Sequence, residues 1–160
     1  MNILDVACGV GGASMGIHLA GHSVTGLDID PKQLKDYPFE CFCEDATTVN
    51  LSGFDAYFAS PPCQIHSYAT SQWRNKGNTY PDLIDIIRQR LLGTGKPFVI
   101  ENVVGSPLRQ DLLLCGQMFD NPNKKFTIRR HRIFEIHGFE VPQIEHTTHR
   151  GRVGDGRVLS

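Results

Sequence analysis

Asn2-Ile3-Leu4-Asp5-Val6-Ala7-Cys8-Gly9-Val10-Gly11-Gly12 carries an apolar run straight into a glycine turn. The run Asn2–Ala7 predicts a strand, and Gly12–Ala20 behind the turn predicts a helix. Glycines in such a turn let the backbone pass close to a ligand. The helix start beyond them presents N–H groups that have no intrahelical acceptor. A Gly-x-Gly-Gly turn by itself is shared by nucleotide, nicotinamide and S-adenosylmethionine binders.

Outward from this turn the chain keeps alternating. His22–Asp28, Phe39–Cys43 and Phe54–Ser60 read as strands, and Asp82–Leu92 has apolar residues at helical spacing and closes at Gly93 and Gly95. Pro97–Glu101 is a buried strand ending on an acid, and Leu112–Cys115 and Ile133–Ile136 are further strands around a polar, basic turn. Strands alternating with helices predict an α/β sandwich, a mostly parallel sheet with helices on both faces and right-handed crossovers. Ligands in such sheets bind beyond the carboxyl ends of the strands. The expected division is a catalytic domain over 1–145 and a Gly/Arg-rich basic tail over 146–160.

Composition narrows the class. The 160 residues are 40% hydrophobic and 21% charged, with a formal net charge of −1, which argues against a protein coated all over by nucleic acid but allows a local basic groove. The five cysteines, Cys8, Cys41, Cys43, Cys63 and Cys115, lack the paired two-residue spacing of a zinc knuckle. They read as reduced thiols, with Cys41 and Cys43 as small apolar strand residues, and no metal is assigned. With no signal peptide or membrane-length apolar stretch visible, the expected setting is a soluble, cytoplasmic one.

The unusual polar residues fall at strand ends. Asp28, with Asp30 behind it, ends the second strand and is placed to accept hydrogen bonds from ribose hydroxyls. Asp45 follows the third and is placed to accept from an adenine amino group. Three such acids, counting Asp5, predict a nucleoside-containing cofactor over solvated loop carboxylates. Ala59-Ser60-Pro61-Pro62-Cys63-Gln64 follows the fourth strand, where two prolines stiffen the loop and hold Cys63 in a fixed direction. Glu101-Asn102-Val103 ends the next strand, and a glutamate there is costly without a partner or a task. In Arg129-Arg130-His131-Arg132, Arg130 and Arg132 alternate toward one face and read as site residues, whereas Arg129 reads as a solvated turn.

These stretches resemble, in order, the motifs of the cytosine-C5 DNA methyltransferases over about residues 2–137, and most closely those of compact bacterial and phage-type members. Asp5–Gly16 is similar to the cofactor loop, so the resemblance assigns Asp5, Ala7, Gly9, Gly11 and Gly12, with Asp28, Asp45 and Pro62, to S-adenosylmethionine. Pro61-Pro62-Cys63-Gln64 resembles the nucleophile motif, Glu101-Asn102-Val103 the glutamate motif and Arg130-His131-Arg132 the paired-arginine motif. Tyr80-Pro81-Asp82-Leu83 and Leu114-Cys115-Gly116 are also similar to family stretches. The sequence departs from the pattern at Ala7, usually aromatic, at Asp28, usually glutamate, and at His66 and Ile128.

The resemblance implies transfer of a methyl group to carbon 5 of cytosine in DNA, with Cys63 as nucleophile, Glu101 on the N3 and N4 edge, and Arg130 and Arg132 on the O2 side. The target base is flipped from a duplex or presented single-stranded. Lys124, Lys125, Arg129, His146, His149, Arg150, Arg152 and Arg157 are candidates for phosphate contacts. Full members continue into a target-recognition region, so a chain ending at Ser160 reads as a minimal enzyme, half of a split one or a remnant. A partner subunit is then the source of target recognition. The rival readings are a cofactor-binding protein without turnover, a nicotinamide oxidoreductase and an enzyme for another cytosine substrate.

Overall fold

The computed structural model describes residues 1–67, 80–119, 130–142 and 144–146. Its centre is a seven-stranded sheet: β1 (Asn2–Val6), β2 (Ser23–Asp28), β3 (Glu40–Cys43), β4 (Ala56–Ala59), β5 (Phe98–Asn102), β6 (Leu112–Cys115) and β7 (His131–His137). The order across the sheet is β3-β2-β1-β4-β5-β7-β6. Pairs from β3 to β5 are parallel, and β7 runs antiparallel to both β5 and β6. Helices α1 (Gly12–Leu19), α2 (Pro31–Leu34) and α3 (Ile84–Gly93) lie between strands. The chain winds one way from β1 to β3 and the other way from β4 to β5. Right-handed crossovers therefore put α1 and α3 on opposite faces.

The main core lies on the α3 face. Leu4, Val6, Leu27, Tyr57, Ala59, Phe98 and Ile100 meet Ile84, Ile87 and Leu91 of α3 there. Alternation along β1 turns Asp5 to the other face, where it meets Ser14 of α1. Strand β3 is the sheet's edge, and all four of its residues are exposed. Cys41 and Cys43 are strand residues, as expected, and on this edge strand both are exposed. No helix among the described residues is long and apolar enough to cross a membrane.

The reversal of β7 matters for the site. A strand running against its neighbours brings its start to the edge where β1, β2, β4 and β5 end. His131 and Arg132 belong to this strand and do not precede it.

Candidate active site

The glycine turn is built from backbone that few side chains tolerate. Ala7, Gly9 and Gly11 have φ of 57°, 53° and 90°, and Gly11 is the N-cap of α1. The Gly9 N–H donates to Asp28 Oδ2 at 2.9 Å, and the Asp30 N–H donates to Asp28 Oδ1 at 3.0 Å. Asp28 thereby ties the β1 turn to the β2 turn. Each of its oxygens keeps a lone pair for another donor. Gly12 is exposed at the helix start, as a ligand-facing turn requires.

Asp5 lies beneath this turn, fully buried. Ser14 Oγ donates to its Oδ2, and Tyr37 Oη lies 2.6 Å from the same Ser14 oxygen. Burial pushes the Asp5 carboxyl up to about 6, against the Ser14 hydrogen bonds and with help from the negative charge of Asp28. Asp5 Oδ1 is buried without a hydrogen-bond partner among the described residues. Cys8 beside it is no nucleophile, because burial and the charges of Asp5 and Asp28 push its thiol up to about 12.

Asp45 stands two residues past β3, exposed. Its Oδ1 accepts from Thr47 N at 2.7 Å and Thr47 Oγ1 at 2.8 Å, which holds its carboxyl below the usual range. This side chain therefore caps the turn that follows it, and only Oδ2 is left to meet a ligand.

Loop 60–63 is pinned from both sides of the sheet. Asn102, buried at the end of β5, donates through Nδ2 to the Pro61 carbonyl at 2.9 Å. Glu101 faces the opposite side and hydrogen-bonds the Ser60 side chain. Pro61 is buried, Pro62 and Cys63 are half-buried, and the Cys63 carbonyl accepts from His66 N at 3.0 Å and Ser67 N at 2.9 Å. His66 Nε2 lies 3.1 Å from Asp82 Oδ2, just before α3. The thiol of Cys63 is therefore carried by a loop with fixed backbone on each side.

Glu101 forms an ion pair with Arg132 Nε. Register explains the meeting: Glu101 is opposite Phe134, so Arg132, two residues away along β7, lies diagonally across on the same face. Burial pushes the Glu101 carboxyl above its ordinary range, while Arg132, Ser60 and Arg130 pull the other way. Arg130 is exposed at the same edge, close enough for its charge to be felt by Glu101. The structure thus gathers Asp5, Ala7, Gly9, Gly11, Gly12 and Asp28 at one part of the edge. It gathers Pro62, Cys63, Glu101, Arg130 and Arg132 at the adjoining part. Lys124, Lys125, Ile128, Arg129, His149, Arg150, Arg152 and Arg157 lie outside the described residues, as does most of the 146–160 tail.

Sequence reading missed Ser14, Tyr37, Ser60 and the task of Asn102. One signal was present. Gly26 in the middle of a buried strand points to a group lying close on the backbone, and the Tyr37 ring fills that space.

A doubly wound sheet with a reversed strand, a glycine turn entering α1 and an acid at the next strand end define a Rossmann-like domain that holds a nucleoside cofactor at its carboxyl edge. The chain belongs to the C-5 cytosine-specific DNA methylase family, whose pattern it matches over residues 1–113. It is 31% identical over 119 residues to the Type II methyltransferase M.DdeI of Desulfomicrobium norvegicum, an alignment covering 66% of this chain and 28% of that protein. The chain thus spans about a quarter of its relative's length. Among solved structures, Thermoplasma acidophilum 1320 superposes with a TM-score of 0.49 at 13% identity, covering 86% of this chain and 80% of that one. An S-adenosylmethionine-dependent methyltransferase from Mesorhizobium loti gives 0.44 at 21%, covering 64% and 46%.

Proposed function

We propose that this chain methylates carbon 5 of cytosine in DNA, with S-adenosylmethionine as donor and Cys63 as covalent nucleophile. The observation that carries this reading is the Glu101–Arg132 pair held beside loop 60–63, on the same edge as the glycine turn. The residues fit the cofactor. The open backbone at Gly9 and Gly12, the remaining lone pairs of Asp28 and the unsatisfied Asp5 Oδ1 offer acceptors and close approach to a polar nucleoside. S-adenosylmethionine supplies an electrophilic methyl group on a sulfonium.

Carbon 5 of cytosine is a weak nucleophile until the ring is activated. The Cys63 thiolate, its proton lost to solvent, forms a bond to carbon 6, and the carbon 5–carbon 6 electron pair becomes available at carbon 5. Glu101 in its protonated form donates to N3, where negative charge would otherwise build, and its raised affinity for the proton suits that task. Arg132 orients Glu101, and Arg130 with Arg132 opposes charge on the O2 side. After carbon 5 is methylated, its proton passes to a base, the sulfur–carbon 6 bond breaks and the thiolate is restored. The base reaches this edge flipped from the duplex or single-stranded. Target recognition falls to a partner subunit or to chain outside the described residues.

Intact mass after incubation with cofactor and an oligonucleotide carrying 5-fluorocytosine tests the reading. Fluorine cannot leave as a proton, so the expected result is a covalent protein–DNA adduct. It vanishes in Cys63→Ala and forms about a hundredfold more slowly in Glu101→Gln. An adduct that survives Cys63→Ala, or none on single- or double-stranded DNA, overturns catalysis by this chain alone through Cys63.

A further inference from the structure

Cys115 ends β6, His131 begins β7, and the antiparallel register sets the two directly opposite each other. Opposite residues share one face of a sheet with Cβ atoms about 5 Å apart. His146, beyond β7, closes on the same spot. Its Nε2 is 3.0 Å from His131 Nε2, with ring centroids 4.9 Å apart. The Cys115 sulfur and the two imidazole nitrogens all lie within 4.8 Å of one another. We propose that Cys115, His131 and His146 form a zinc site that clips the segment after β7 to the β6–β7 pair.

The chemistry selects the ion. One thiolate and two imidazoles make a soft, borderline donor set of the kind zinc takes, with the oxygen-preferring divalent cations disfavoured. Zinc–nitrogen bonds of about 2.0–2.1 Å at a tetrahedral angle place two nitrogens roughly 3.3 Å apart, close to the separation already present. The sulfur must approach slightly, which a side-chain rotation allows. The Met118 backbone N–H donates to the Cys115 sulfur, the kind of outer contact that orients a thiolate ligand. Cys115 is buried and both histidines are half-buried, so the ion would be shielded on its protein side. A fourth position is left for water or another ligand.

The site is distinct from the catalytic edge residues. Side chains alternate along β7, so His131 points to the α3 face while Arg132 points to the face of Glu101. The shared backbone gives the ion a structural task, that of holding the strand that carries Arg132. The ligands stand at 115, 131 and 146, too far apart in sequence to resemble a zinc knuckle, and a reading that seeks short spacings assigns no metal. The inference does not depend on the methyltransferase reading.

The test uses the 160-residue chain purified without chelators. Elemental analysis should find about one zinc per chain. Cobalt(II) in its place should show the visible bands of a four-coordinate ion together with a thiolate charge-transfer band. Cys115→Ser should abolish that band, and Cys41→Ser/Cys43→Ser should keep it. His146→Ala, lying outside the sheet, should keep the native far-ultraviolet circular dichroism and weaken zinc binding by about a hundredfold or more. If Cys115→Ser does not fold, the other two variants decide. Substoichiometric zinc, loss of the band in the Cys41/Cys43 double variant, or tight zinc in His146→Ala overturns the proposal.

Discussion

Asp5 shows how one residue can serve a site at the expense of the fold. It is buried among apolar strand residues beneath the glycine turn, and its carboxyl titrates near 6 against an ordinary 3.8. The native state therefore holds this proton more tightly than the unfolded chain. Its stabilising effect is full below about pH 3.8 and is lost as pH rises through 6. The shift corresponds to on the order of 3 kcal/mol. Asp5→Asn keeps the shape and an acceptor for Ser14 but carries no charge. It should raise stability by up to about 3 kcal/mol at pH 7.5 and change it little at pH 3.5, read by urea unfolding at both. Equal effects at the two pH values would show that the charge at Asp5 is not what destabilises the fold.

At the scale of elements, the β2 strand and the chain after α2 are matched by a missing side chain. A Cβ on Gly26 would lie 2.4 Å from Tyr37 Cζ and 2.6 Å from its hydroxyl, closer than atoms can approach. The ring thus packs on bare strand backbone, and its hydroxyl reaches Ser14 on α1. Tyr37 also lies against Gly11, where an added Cβ would be 3.1 Å from its ring. One aromatic residue therefore joins the glycine turn, β2 and α1. Gly26→Ala should destabilise by about 1–3 kcal/mol, and combining it with Tyr37→Ala should cost clearly less than the two changes added together. Chemical denaturation of the four proteins gives the cycle, and strict additivity would mean that the two do not meet.

Across the whole molecule, the sheet's far side is fastened by charge where the main core thins. Glu135 of β7 is buried and takes Arg88 of α3 bidentately, at 2.9 and 2.8 Å, with His137 at 2.9 Å and the Arg109 N–H at 3.0 Å. Burial alone would push its carboxyl up. These partners outweigh it and hold the group at about 2 instead of 4.5. Stability from this network is then full above about pH 4.5 and is lost as pH falls toward 2. Glu135→Gln should cost on the order of 3 kcal/mol at pH 7 and almost nothing near pH 2, read from thermal unfolding against pH. A penalty that persists near pH 2 would assign the effect to packing instead of charge.

The local code was legible wherever one stretch contained the whole signal. Periodicity placed all seven strands within two residues at each end, because the inner strands are covered on both faces and run apolar between the glycines and prolines that punctuate them. The short α2 carried too little periodicity to be seen. The ordered motifs from Asp5 to Arg132 determined the family and the residues gathered at the carboxyl edge. Other features belong to contacts between distant positions and were decided by tertiary structure alone. Reversal of β7 brings Arg132 onto Glu101, Asn102 turns away to hold Pro61, Tyr37 settles on Gly26, and Cys115 meets His131 and His146. Strand register and sheet order fix such meetings. Both are set by which faces bury together across the chain, which no single stretch records.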